Sequence, residues 1–185
     1  MNVPFHIAEA AKAADIETVR EWLATNDVND VWDGEDPIFQ PDEPRPQTLL
    51  LCAVRPITTA AHVDLARMLL ARGADVNKRM DHWSALHYAC RGYGGDNCVA
   101  MVSLLIEAGA DVNCKEIPEH EILFCNSTPL SKAIDALYDT ERRVTCRQIL
   151  TLLLAKGASL DVTSYSWVEN RLVPPDVLLQ EVLSD

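Results

Sequence analysis

Apolar residues recur at helical spacing in two long segments of the chain. These segments are "HVDLARMLLARG" at residues 62–73 and "VAMVSLLIEAG" at residues 99–109. In both, the apolar residues cover a wider arc than a helix with a single buried face requires. A helix of this kind buries two sides, as expected when it packs between neighbouring units of a repeat array.

The end of the first segment is repeated along the chain. The copies are "WLATNDVND" at 22–30, "LLARGADVN" at 69–77, "LIEAGADVN" at 105–113 and "LLAKGASLD" at 153–161. The last three have Gly73, Gly109 and Gly157 after the apolar run, where a left-handed residue ends a helix, and the first has Asn26 there. The repetition predicts four units.

A second apolar element precedes each of the last three copies. These elements are "TLLLCAV" at 48–54, "SALHYAC" at 84–90 and "TPLSKAI" at 128–134. We predict that Thr48, Ser84 and Thr128 are N-caps of short helices, and Pro129 suits the first turn of such a helix. Each of these units is therefore expected to contain two helices.

The two elements, in this order, resemble the ankyrin repeat, in which a T-P-L-H-type helix start precedes a second helix and G-A-D-V-N. The resemblance covers roughly residues 5–161 and implies an all-α solenoid of about four helix-turn-helix repeats in one domain, 1–185. It includes a tight turn at Ala14 and Asp15 between the first two helices. We place the repeats at about 5–30, 47–77, 83–113 and 127–161, and a C-terminal cap, with a capping helix, at 164–185.

Insertions lengthen two of the turns that project as fingers in this family. The units are spaced more widely than the roughly 33 residues of an ankyrin repeat, and the long fingers are 30–47 and 114–127. Both surround apolar side chains with acidic ones, which favours partner contacts, although drifted loops without a partner remain the alternative. The finger residues expected to contact a partner are Trp32, Ile38, Phe39, Ile117 and Phe124, with Met80 and Trp83 in the short middle finger.

The resemblance also assigns residues to the groove beside the inner helices. The positions that face this groove match Arg55, Arg91 and Asp135, with Tyr88 and Lys132 earlier in their helices. For Trp83, a tryptophan packed into its turn is an equally good interpretation. These residues and the fingers together predict a partner-binding face.

Composition and charge restrict the partner. No apolar run is long enough to span a membrane, the N-terminus lacks the apolar stretch of a signal peptide, and the six cysteines are irregularly spaced. We therefore expect a monomer with reduced thiols in the cytoplasm or nucleus. A net charge of -12 disfavours nucleic acid and anionic membranes. The acidic fingers favour a protein or peptide partner with a basic and apolar segment.

Three patterns resemble reaction or metal sites. His87 lies near Ser84 and Asp81 but without a nucleophile elbow, and "RGYGGDN" at 91–97 lacks the lysine of a phosphate-binding loop. Cys114, His120 and Cys125 are too loosely spaced for an ordinary zinc site. The resemblance implies that His87 ties turns together. We expect a non-enzymatic protein-protein interaction module with no catalytic residue, cofactor or metal.

Two further expectations come from resemblance. "LVPPDVLLQEVLSD" at 172–185 is similar to the opening helix of an F-box, so an adaptor or effector that recruits ubiquitin-ligase machinery is the alternative function. Otherwise this segment caps the fourth repeat. Asn77 and Asn113 match the positions that an asparaginyl hydroxylase modifies in many ankyrin repeats, or they simply cap their turns.

Overall fold

The computed structural model describes residues 2–34, 46–55, 57, 59–79, 83–115, 127–160, 164–166 and 171–173. In these residues eight α-helices follow one another as four pairs. The pairs are α1 (Phe5–Lys12) with α2 (Ile16–Trp22), α3 (Leu49–Val54) with α4 (Ala60–Ala71), α5 (Ala85–Ala89) with α6 (Asp96–Glu107), and α7 (Pro129–Asp135) with α8 (Arg143–Ala155). A 3₁₀ turn, Ala136–Tyr138, follows α7. The predicted all-α solenoid is confirmed.

The pairs stack so that the first helices form one layer and the second helices form another. Each inner helix, α1, α3, α5 and α7, contacts the next inner helix, and each outer helix contacts the next outer helix. The core between the layers is continuous, with fully buried leucines such as Leu49, Leu86 and Leu130 in the inner layer. Each buried leucine contributes about 1.5–3 kcal/mol, so stacking supplies most of the stability that these short helices need.

The predicted N-caps Thr48 and Thr128 are confirmed by their hydrogen bonds, and Ser84 occupies the N-cap position of α5. The Thr48 hydroxyl accepts a bond of 3.2 Å from the Leu51 N–H at the start of α3. In α7 the Thr128 hydroxyl accepts from the Ser131 N–H at 3.2 Å, and the Ser131 hydroxyl accepts from the Thr128 N–H at 2.9 Å. Pro129 occupies the first turn of α7, where no hydrogen-bond donor is lost.

The helix ends follow the prediction at the glycines but not at Asn26. Gly73, Gly109 and Gly157 have φ values of 87°, 91° and 86°, the left-handed conformation that ends α4, α6 and α8. Among described non-glycine residues, only Ala14 has a positive φ, which confirms the tight turn before α2. The prediction of a left-handed Asn26 is wrong because its side-chain amide donates to the Trp22 carbonyl at 2.8 Å, satisfying the helix end directly.

Three asparagines connect each turn to the turn of the next repeat. In each case the side-chain amide donates to a glycine carbonyl of the next turn and the side-chain oxygen accepts a backbone N–H there. The connections are Asn29 to Gly73 and Asp75 at 3.1 and 2.8 Å, Asn77 to Gly109 and Asp111 at 3.0 and 2.9 Å, and Asn113 to Gly157 and Ser159 at 3.1 and 2.7 Å. Asn77 and Asn113 therefore have a structural role in the turns, and their hydroxylation stays a prediction.

Two short hairpins accompany the helices. Strands β1 (Val31–Trp32) and β2 (Gln47–Thr48) pair antiparallel at the base of the first long finger, with Val31 opposite Thr48. Strands β3 (Ser164–Ser166) and β4 (Arg171–Val173) also pair antiparallel, and β3 contacts α7. The predicted cap therefore begins as a hairpin against the last inner helix. Its leucine-rich part, 174–185, lies outside the described residues, so the capping helix stays a prediction.

Candidate partner-binding face

The predicted groove residues come from three neighbouring inner helices. Arg55 directly follows α3, Tyr88 lies in α5 with Arg91 one turn later, and Lys132 and Asp135 are one turn apart in α7. Residues three apart on a helix share a face, so Lys132 and Asp135 project on the same side of α7. Contacts between α3, α5 and α7 place these residues on neighbouring helices of the inner layer.

A contact between charge and ring joins the second repeat to the third. The guanidinium carbon of Arg55 lies 5.1 Å from the centre of the Tyr88 ring. That ring packs edge-on against Trp83, with 5.1 Å between ring centres and an interplanar angle of 62°. Edge-to-face packing places the positive rim of one ring on the negative face of the other, which stabilises the pair beyond the area it buries.

Trp83 extends these contacts into the fourth repeat. The Lys132 ammonium lies 4.2 Å and the Arg91 guanidinium 5.3 Å from the Trp83 ring. Its side chain is half-buried, and its indole Nε1 is fully buried with no hydrogen-bond partner in the described part of the chain. The interpretation as a packed turn tryptophan is thus supported, and the same packing places its ring among the groove residues.

Two residues that the sequence did not identify continue the contacts. The Arg91 guanidinium lies 4.8 Å from the Tyr93 ring and donates to the Tyr93 hydroxyl at 2.9 Å. Arg142, in the turn before α8, lies 4.2 Å from the same ring and donates to the Arg91 carbonyl at 3.1 Å. Tyr93 remains 63 % exposed. We call the combined set the cation–aromatic row: Arg55, Trp83, Tyr88, Arg91, Tyr93, Lys132 and Arg142.

Asp135 is an acidic residue at this face. Burial raises the pKa of its carboxyl to about 6, and the nearby Lys132 opposes that rise. Its Oδ1 atom is buried and has no hydrogen-bond partner among the described residues. Buried polar atoms are rarely left unsatisfied, because each one loses its bonds to water without replacement. An unsatisfied buried atom beside an open face favours a functional role for Asp135.

Trp32 does not behave as a surface anchor. Its side chain is only 5 % exposed. The centre of its ring lies 6.1 Å from the centre of the Phe5 ring and 4.1 Å from the Lys12 ammonium. It therefore belongs to the core of the first repeat, and direct contact with a partner would require the finger base to open. The remaining finger residues, Ile38, Phe39, Met80, Ile117 and Phe124, lie outside the described residues and stay predictions.

His87 forms structural hydrogen bonds through both of its ring nitrogens. It is fully buried, with Nδ1 at 2.9 Å from the Ser84 hydroxyl and Nε2 at 3.1 Å from the Ser127 carbonyl. The Ser84 N–H donates to Nδ1 at 3.2 Å, so Nδ1 accepts and Nε2 carries the proton given to Ser127. The ring thereby connects the third repeat to the residue before the fourth, the tying role that the resemblance implied.

The described cysteines are free, and burial makes their thiols less acidic. Desolvation raises the pKa of Cys52 to about 12 and that of Cys146 to about 11, and it raises the pKa of Cys90, Cys98 and Cys114. A thiol must ionise to attack or to bind a metal, so these groups are poorly reactive. Within the described ranges no three His, Cys, Asp or Glu residues could hold a metal ion, and His120 and Cys125 lie outside them.

Comparison with known proteins agrees with this architecture. A family model of ankyrin repeats matches residues 6–116 as three copies, a range that runs from the second residue of α1 to beyond α6, while α7 and α8 lie outside it. A search of curated proteins gave no match. Ankyrin repeats are generally protein-protein interaction modules, and the family is typically non-enzymatic. No helix in the described part of the chain has the length and apolar character of a membrane span. The match covers more than half of the sequence, and the chain belongs to the ankyrin-repeat family.

Proposed function

We propose that the chain is a non-enzymatic module that binds a partner protein on the face formed by α3, α5, α7 and the turns beside them. The observation that supports it most is the cation–aromatic row, in which side chains of three successive repeats contact one another along one face. Tryptophan, tyrosine and arginine are the residues most often found to dominate binding energy at interfaces. A rigid row of them offers contact area at low entropic cost.

The unsatisfied atoms of the face support the same proposal. Asp135 Oδ1 and Trp83 Nε1 are both buried without partners among the described residues. Two such atoms on one face lower the free energy of unfolding of the unbound chain, since buried polar groups gain stability only when they are hydrogen-bonded. Proteins retain destabilising groups of this kind mainly at functional surfaces.

For the long fingers we retain the proposal drawn from the sequence. Their acidic side chains surround Ile38, Phe39, Ile117 and Phe124, a combination that fits a basic and apolar segment of the partner. The free thiols of the described cysteines fit a reducing compartment, so we place the protein, as a monomer, in the cytoplasm or nucleus.

The test compares two double variants with the parent chain by affinity purification and mass spectrometry. Arg55→Ala with Arg91→Ala removes two cations from the proposed face. Arg20→Ala with Arg67→Ala is the matched control, because these exposed arginines lie on the outer helices and pair only locally with Glu17 and Asp64. Partners retained by the control and lost from the face variant support the proposal. Equal retention by both variants would move the binding face elsewhere.

The adaptor alternative rests on residues 172–185, of which the structure describes only Leu172 and Val173. These two residues lie in strand β4, not in a helix. An F-box-like helix would therefore have to begin after Val173. Loss of a ubiquitin-ligase component from the purified complexes after deletion of 174–185, with other partners retained, would support the adaptor function.

A further inference from the structure

The cation–aromatic row concentrates positive charge on an acidic protein. The chain carries a net charge of -12, with 28 acidic and 16 basic side chains. Yet the row contains Arg55, Arg91, Lys132 and Arg142, and the acidic residues beside it in the described part of the chain are Asp135 and Asp139. The described part of this face therefore has the opposite sign to the molecule as a whole.

Among the described residues, Arg55 and Arg91 contact no carboxylate, whereas Arg142 is ion-paired with Asp139 at 2.8 Å. On the outer helices, Arg20 and Arg67 contact the carboxylates of Glu17 and Asp64 at 2.6 and 2.5 Å. In the row, the guanidinium groups of Arg55 and Arg91 contact aromatic rings instead. A ring orients a cation through its quadrupole but does not neutralise it. The planar nitrogen fork of an oriented arginine remains available to a carboxylate.

We propose that this row binds an acidic segment of the partner, with carboxylate side chains on the row's arginines and the segment's backbone and apolar groups against Trp83, Tyr88 and Tyr93. This inference rests on the proposed function and adds the partner's chemistry to it. The acidic segment on the row is separate from the basic segment proposed for the fingers. A partner with both charges would bind in one direction only, because reversing it would place like charges together.

A polypeptide fits this face better than a polyphosphate does. Nucleic acid is repelled by the net charge of -12, and it gains affinity by releasing counterions from many basic contacts rather than from four. Asp135 lies beside Lys132 and adds local repulsion against a phosphate. Carboxylates on a peptide can be spaced to avoid that point, whereas the charges of a nucleic-acid backbone recur at every nucleotide.

The spacing of the repeats predicts the spacing of the carboxylates. Arg55, Arg91 and Arg142 belong to three successive repeats, and packed helices lie about 8–10 Å apart. A segment in the extended polyproline II conformation has three residues per turn and advances about 3.1 Å per residue. Every third side chain therefore lies on one face, about 9 Å farther along and opposite the next repeat. We therefore expect acidic residues at i, i+3 and i+6 of an extended segment.

Fluorescence anisotropy with the purified full chain tests the inference. The probes are a labelled extended peptide with Glu at i, i+3 and i+6, the same peptide with Gln at those positions, one with Lys there, and a single-stranded oligonucleotide. The protein variants are Arg55→Gln with Arg91→Gln, the charge-retaining Arg55→Lys with Arg91→Lys, and the outer-helix control Arg20→Gln with Arg67→Gln. Thermal midpoints confirm that each variant is folded.

We expect the Glu peptide to bind at least ten-fold more tightly than the Gln peptide, and its binding to weaken at least ten-fold in the Arg55→Gln, Arg91→Gln variant. The lysine variant should lose less, and the outer-helix control should bind as the parent chain does. Equal binding of Glu and Gln peptides, tighter binding of the Lys peptide or oligonucleotide, or an equal loss in the outer-helix control would overturn the inference. The affinity purification of the Arg55→Ala, Arg91→Ala variant does not depend on this result. It therefore separates a face that binds a non-acidic partner from a face that binds no partner.

Discussion

Replacing Asn77 by alanine should destabilise the array, because one side chain connects two repeats. The Asn77 amide donates to the Gly109 carbonyl at 3.0 Å, and its oxygen accepts the Asp111 N–H at 2.9 Å. Alanine removes both bonds and leaves the helices and the core unchanged. The effect therefore isolates the connection between the second and third repeats.

The expected magnitude follows from the exposure of this residue. A hydrogen bond contributes about 0.5–1.5 kcal/mol net, and a side chain open to water lies at the lower end because water replaces part of each lost bond. Two bonds give a loss of about 1–2 kcal/mol in the free energy of unfolding. For a chain of this size, each kcal/mol lowers the thermal midpoint by about 2–4 °C. The midpoint should fall by about 2–8 °C.

Urea unfolding followed by circular dichroism measures this loss, with two companion variants. Asn77→Asp keeps the acceptor for Asp111 but sets an oxygen against the Gly109 carbonyl, so at neutral pH it should be no more stable than alanine. Thr151→Ala is the matched control, because its lost bond, to the Arg147 carbonyl at 2.9 Å, stays within α8. A change below about 0.5 kcal/mol in Asn77→Ala, similar to the control, would refute the view that the asparagines hold the repeats in register.

Three other predictions concern Asp135, the asparagines and the C-terminal segment. Burial raises the pKa of Asp135 to about 6 in the folded state, above its value of about 3.9 in the unfolded state. The protonated form therefore stabilises the fold fully below about pH 4, and this stabilisation is lost as the pH rises to about 6. Asp135→Asn should raise the free energy of unfolding by at most about 3 kcal/mol at pH 7 and by little at pH 4. If urea unfolding gives the same difference between variant and parent at both pH values, this prediction is wrong. Peptide mass spectra from cells containing the asparaginyl hydroxylase should show one added oxygen on Asn77 or Asn113, and its absence would remove the proposal. Deleting residues 173–185 should lower the thermal midpoint and cause self-association in light scattering, whereas an unchanged monomer would show that the segment is not a cap.

The repeat architecture was predictable because its signals are local. Threonine before a helix, glycine after one and a wide apolar arc each depend on a few neighbouring residues, and they recur in the same order. Thr48, Gly73 and Thr128 therefore behave as predicted. Asn26 does not, because an asparagine has two ways to end a helix, and here its side chain contacts the Trp22 carbonyl while its backbone avoids the left-handed conformation.

The site was less predictable because its contacts cross between repeats. Tyr93 and Arg142 lie in two different inter-helix turns, far apart in sequence, and they meet only because successive repeats stack. Trp32 was predicted from composition, as an aromatic residue in an acidic finger. Composition does not show that the finger begins with a β-pairing, which holds this ring against Phe5 and Lys12.

The scaffold and the proposed site depend on the same register between repeats. Arg55 with Tyr88 joins the second repeat to the third, and Lys132 with Trp83 joins the third to the fourth. The same two junctions are held in the turns by Asn77 and Asn113. A cation at 4 to 5 Å from a ring loses much of its interaction when the repeats shift, since the attraction needs the charge within about 6 Å of the ring centre. Loss of an asparagine should therefore weaken binding of the acidic peptide as well as stability. Loss of Arg55 should weaken binding while lowering the free energy of unfolding by only about 0.5–1 kcal/mol, the contribution of an exposed cation–π contact.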